Sequence, residues 1–121
     1  MRGRLLALLG LMVGIALGFA FAYQHSHGKG KSEFHAKMAA AMEKMMAAMQ
    51  KAPMTGEPDH DFVAMMIPHH QGAIEMARLI LLYGKDAEIR RLAQGIIAEQ
   101  QVEIQQMQLW LKRRSERGTK R

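Results

Sequence analysis

Residues 59–77 read Asp59-His60-Asp61-Phe62-Val63-Ala64-Met65-Met66-Ile67-Pro68-His69-His70-Gln71-Gly72-Ala73-Ile74-Glu75-Met76-Ala77, and their spacing decides the fold. At about 100° per residue, Phe62, Met66, His69, His70, Ala73, Met76, Ala77 and Ile80 share an arc roughly 120° wide, the signature of one buried helix face. Two adjacent histidines and two methionines on that arc form a borderline-to-soft ligand set. Imidazole nitrogen with thioether sulfur suits copper, above all Cu(I), and the similar ion Ag(I), better than oxygen-seeking cations. For any single residue here the plainer reading is structural, since methionine is a flexible core filler and histidine on an apolar face is often hydrogen-bonded. The argument therefore rests on the cluster.

The helix around this stretch spans about 60–83, with Asp59 or Asp61 as its cap and Gly84 as its end. Pro68 within it removes one backbone donor and leaves the Ala64 carbonyl without its usual partner, so a kink before His69 is expected. Gly72 allows another helix to come close. Upstream, Ser32 is the candidate N-cap of a first helix over about 33–51, which Pro53 and Gly56 terminate. Its inward arc holds Phe34, His35, Met38, Met42, Met45, Met46 and Met49, and between Lys31 and Ala52 there is no Leu, Ile or Val. Leucine is the default core residue of a helix, so methionine at these positions gives up packing definition for sulfur. His35, Met38, Met42, Met45 and Met49 accordingly join Met66, His69, His70 and Met76 as candidate ligands.

Downstream, Asp86 opens a third helix over about 86–115. Its buried side is Ile89, Leu92, Ala93, Ile96, Gln100, Glu103, Ile104, Met107 and Leu111. The short connection at Gly84-Lys85 makes it antiparallel to the second helix. Met107 then comes level with Met66 and the histidine pair, and Trp110 serves as an amphipathic anchor near the bundle end.

The first two dozen residues differ in kind. Arg2 and Arg4 precede Leu5–Tyr23, an uncharged run long enough to cross a bilayer. Ala20-Phe21-Ala22 fits a signal cleavage site, whereas the length of the run favours an uncleaved anchor. Either way the remainder is exported, to the periplasm or the outer face of the cell membrane. The chain has no cysteine, so its soft ligands in an oxidising compartment would be thioethers. The expected organisation is an anchor or signal over 1–23, a linker over 24–32 containing His25 and His27, a helical domain over 33–112, and a basic tail over 113–121. The net charge of +6 belongs to the ends: residues 112–121 hold six basic side chains against one acidic, while residues 23–111 hold nine basic and ten acidic. A near-neutral exported body speaks against nucleic acid as a partner.

Asp61-Phe62, Met66, His69-His70, Ala73 and Met76-Ala77, followed by Leu92-Ala93, Ile97, Gln100, Glu103-Ile104, Met107 and Trp110-Leu111, resemble the family called domain of unknown function 305. The resemblance covers about residues 33–112. It implies an all-α, ferritin-like helical bundle of exported proteins, some associated with copper or silver binding and tolerance. It also carries over Met66, His69, His70, Met76 and Met107 as the ligand pool. Three helices after the anchor make a complete four-helix bundle only with a second copy of the chain, as a homodimer, or in a looser arrangement. Two other readings stand beside metal binding. One is an adaptor whose methionine-rich groove holds a peptide, and it gives the histidines no role. The other is a di-metal enzyme, which needs inward carboxylates and Glu-x-x-His pairs on two helices. The one such pair here, Glu57 to His60, is interrupted by Pro58. The expectation is therefore metal binding without catalysis and without an organic cofactor.

Overall fold

The computed structural model describes residues 31–119 and divides the chain into two units, Met1–His35 and Ala36–Arg121. All regular structure among the described residues is helical: α1 through residues 31–50, α2 Pro58–Tyr83 and α3 Ala87–Thr119. The apolar segment 5–23, His25 and His27 lie outside the described residues. Among those described, no helix is long and apolar enough to cross a membrane.

Local chemistry explains the helix ends. Residues 31 and 32 are already helical, so Ser32 is not a cap and the linker is shorter than its polar composition implied. Ala, Met, Lys and Glu are strong helix formers, and α1 continues until Pro53 approaches. At the start of α2 the expected Asp59 or Asp61 cap is replaced by other chemistry. Glu57 occupies the cap position without a side-chain cap bond, and Pro58, needing no amide partner, begins the first turn. The Asp61 carboxylate instead reaches back to the loop, accepting from the Thr55 N–H at 2.7 Å, the Gly56 N–H at 2.9 Å and the Thr55 hydroxyl at 3.1 Å. Gly56 has φ +85°, a backbone geometry that a side chain would strain. α3 starts beside Asp86 as expected, and Asp86 caps it, its Oδ1 accepting from the Glu88 N–H at 2.9 Å and the Ile89 N–H at 3.0 Å. α3 then runs on through Thr119, so most of the basic tail continues the helix.

α2 packs on both sides. Toward α1, Lys44 pairs with Glu75 at 3.2 Å, and Gly72 lies so close to Met45 that an added Cβ would meet its Cγ at 2.5 Å. Toward α3, three contacts set an antiparallel register along its length. Arg114 pairs with Glu57 at one end, His70 with Glu103 in the middle, and Arg90 bonds the Leu81 and Gly84 carbonyls at the other. The buried core is narrow and uses mostly small residues: Ala41, Ala64, Ala77 and Ala93, with Ile74 and Leu79. Small side chains let helix axes approach, but they bury little apolar area each.

That packing corrects several expected inward positions. On α1, Ala41 is buried and Met38, Met45 and Met49 are half-buried, while Met42 and Met46 are exposed. On α2, Phe62 and His69 are exposed, while Ala64, Pro68, Gly72, Ile74 and Leu79 are buried because the helix has neighbours on two sides. On α3, Ile89, Leu92 and Glu103 are exposed although all three lie on its expected apolar stripe. Trp110 is half-buried near the end of α3, with the Arg114 guanidinium 5.1 Å from its ring centre.

Candidate metal centre

Helical spacing stacks Met66 and His70 one turn apart on α2, and Glu103 and Met107 one turn apart on α3. His70 Nε2 donates to Glu103 Oε2 at 2.6 Å and ties the two pairs together. Because the helices are antiparallel, one turn back along α2 corresponds to one turn forward along α3. Met107 therefore lies level with Met66, as the short connection predicts. The His70 side chain is only 15% exposed, and its Nδ1 is buried without a hydrogen-bond partner. Gln100 Oε1, on the turn of α3 preceding Glu103, is likewise buried and unpartnered. A buried polar atom without a partner is costly, so His70 Nδ1, with Gln100 Oε1 about one turn further along α3, marks a stretch of this helix pair suited to a polar or cationic guest.

The adjacent histidines are not equivalent. His69 is exposed, and its ring sits edge-on to that of His70 with centroids 5.8 Å apart. A step of about 100° along a helix takes the second ring out of the seam between α2 and α3. Met76 lies elsewhere again, six residues or about 9 Å along the axis from His70. Together with Met38, Ala77, Ile89, Leu92 and Ile96, it lines an open apolar cleft of about 310 Å³ among the three helices. Met45 packs on Gly72 and lines a separate cleft between α1 and α2 with Lys44, Pro68 and Glu75. Met49 is half-buried on α1. His35 belongs to the other unit, its ring 5.6 Å from that of Phe34. The structure thus brings together His70 with Glu103, and Met38 with Met76, rather than gathering the whole expected pool.

Among the described residues, no three His, Cys, Asp or Glu side chains converge as a metal-binding group. An ion held here would need thioether sulfur. Glu103 is the functional candidate that sequence reasoning placed on the inner face without assigning it a partner. An antiparallel register counted from the Gly84 turn brings residue 103 close to residue 70, and that count was the available signal.

The remaining histidine–carboxylate pair has a structural explanation. His60 Nδ1 donates to Asp61 Oδ1 at 3.1 Å. The Thr55 backbone N–H, more than any other group, holds the Asp61 carboxyl at about 2, below its ordinary 3.8. His60, the Gly56 N–H and the Thr55 hydroxyl act in the same direction, and desolvation opposes them. These bonds describe a loop clasp.

Two comparisons with known proteins place the chain among relatives. An uncharacterized protein of Acanthamoeba polyphaga mimivirus is 45% identical over 49 residues, covering 40% of this chain and 32% of that protein. The match thus spans about a third of the relative's length. A family model described as "Domain of unknown function (DUF305)" matches residues 19–111, which contain all of α1, all of α2 and α3 as far as Leu111. The chain, a bundle of three described helices with His70 on Glu103, belongs to the DUF305 family.

Proposed function

We propose that this chain is an exported metal-binding protein that holds Cu(I), with Ag(I) as the alternative ion, through methionine thioethers and histidine imidazole. Its role in this reading is to sequester the ion, pass it on or confer tolerance, without catalysis or an organic cofactor. The observation that carries the reading is the buried, unpartnered Nδ1 of His70 on a seam where Met66 and Met107 stand level. A soft monovalent cation would occupy such a donor set more readily than Zn(II), Mg(II) or Ca(II), which favour thiolate, imidazole and oxygen clusters. His70, Met66 and Met107 form the primary site. Met38 with Met76, and the remaining methionines of α1, add capacity. Anchoring through residues 5–23 and a ferritin-like arrangement belong to the same proposal.

The open apolar cleft, bordered by the exposed Ile89 and Leu92, favours a second copy of the chain as partner, completing a four-helix bundle. Sedimentation of the full chain at several concentrations tests that arrangement.

Competition against a calibrated Cu(I) chelator under reducing conditions tests the function. The chain should draw Cu(I) from the chelator, and His70→Ala should lower the affinity at least about tenfold, the scale on which even outer-sphere groups act at metal sites. Failure to take Cu(I), with tight Zn(II) binding instead, overturns the reading.

A further inference from the structure

We propose that His70 receives the ion at Nδ1 while Glu103 holds its Nε2–H, so that Glu103 is the positioning carboxylate of the site. The inference rests on the metal-binding reading above and assigns roles to individual atoms. A neutral imidazole carries one N–H and one lone pair, and whichever nitrogen donates a hydrogen bond leaves the other as the acceptor. His70 Nε2 lies 2.6 Å from Glu103 Oε2, and a carboxylate oxygen at that distance accepts a proton-bearing nitrogen. The lone pair therefore falls on Nδ1, the buried atom that has no other partner. Helical side chains lean toward the preceding turn, and the turn preceding His70 carries Met66. The ring edge closest to the backbone thus has a thioether as its neighbour along α2.

Charge supports the same assignment. A cation on neutral His70 faces the negative charge of Glu103 across the ring, which favours its binding at Nδ1. Glu103 thus attracts a cation as well as fixing the ring, and the preference for a soft one comes from the thioethers. A carboxylate–histidine pair of this kind orients the ligand nitrogen and raises its basicity. His69 has no such partner among the hydrogen bonds and ion pairs described, and its exposed ring is not held in the seam.

The test uses the full chain labelled with ¹⁵N at histidine, Ag(I) as the diamagnetic probe, and long-range ¹H–¹⁵N correlation to resolve both ring nitrogens. The expected result is an Nε2 that remains N–H in type throughout and an Nδ1 that shifts on adding Ag(I). Glu103→Gln, whose amide oxygen can accept the same N–H, should keep this pattern with weaker binding. Glu103→Ala should lower Ag(I) affinity 10- to 100-fold and let either nitrogen take the ion. Circular dichroism should show unchanged helicity in both variants, because the Glu103 side chain is 52% exposed. Coordination at Nε2 in the unsubstituted chain overturns the assignment, as does an unaltered affinity in Glu103→Ala. If methionine methyl signals respond to Ag(I) while both His70 nitrogens stay still, this inference fails and metal binding survives. If neither responds, both fail.

Discussion

Gly72→Ala and Gly95→Ala are the same substitution in two helices, and the structure predicts that only Gly95→Ala stabilises the fold. Replacing an interior helical glycine with alanine gains about 1 kcal/mol of helix propensity. At Gly95 on α3 an added Cβ meets nothing within 4 Å, so the full gain should appear. At Gly72 the same carbon would lie 2.5 Å from Met45 Cγ and Sδ and 2.6 Å from Met45 Cβ. Methionine can swing its sulfur away, but its Cβ moves only with the backbone, so α1 must retreat from α2. Overpacking of this kind costs about 1–3 kcal/mol, which offsets the propensity gain and leaves Gly72→Ala neutral to about 2 kcal/mol destabilised. For a domain of this size about 1 kcal/mol corresponds to roughly 4–8 °C in Tm, so the two variants should melt at least about 4 °C apart. Thermal unfolding followed by circular dichroism reads the difference. Adding Met45→Ala to Gly72→Ala should recover part of the loss, a favourable coupling in a double-mutant cycle. Equal increases in Tm for the two glycine variants would refute the close approach of α1 to α2.

Three further outcomes follow from other parts of the structure. Asp86→Ala removes the acceptor for two amides at the start of α3 and should cost about 1 kcal/mol, while Asp86→Asn retains most of the cap; both are read by urea unfolding. The folded Asp61 carboxyl titrates at about 2 against an ordinary 3.8, so the unfolded chain binds the proton more readily. Its contribution is fully present above about pH 4 and is lost as pH falls toward 2, and unfolding measured across that range in Asp61→Asn should lack this component. Replacing Met38, Met42, Met45, Met46 and Met49 together by Leu conserves volume, at under about 1.5 kcal/mol per site, so the helices should persist while bound Cu(I) per chain falls by mass spectrometry. Unchanged metal equivalents would show that these methionines only pack.

Much of the fold was legible because its determinants are local. The start of α3 near Asp86, the end of α2 at Gly84 and the loop between α1 and α2 follow from residues within a few positions of each helix end. The short α2–α3 connection made those helices antiparallel, and the predicted level of Met107 with Met66 follows from that topology. The role of Gly72 was also readable, since a glycine inside an amphipathic helix suggests a neighbour at close range. The clasp at Asp61 was not: a carboxylate in the first turn resembles a cap, and only the path of Thr55 and Gly56 shows that it serves the loop.

The sequence by itself determined that the described body is helical, where its inter-helix loops fall, and that its stock of soft ligands is methionine and histidine without cysteine. Tertiary structure alone decided which of those residues meet. Alanine and methionine spread around much of α1, so its apolar pattern is compatible with several rotations about the helix axis. The contact of Met45 with Gly72 selects one that buries Ala41 and leaves Met42 and Met46 outside. On α2, adjacent histidines about 100° apart cannot occupy the same place in a seam. The register against α3 sets His70 on Glu103 and leaves His69 exposed. Periodicity specifies a face to within an arc, whereas partners are specified by the offset and rotation of whole helices, which depend on contacts between residues 27 to 33 positions apart.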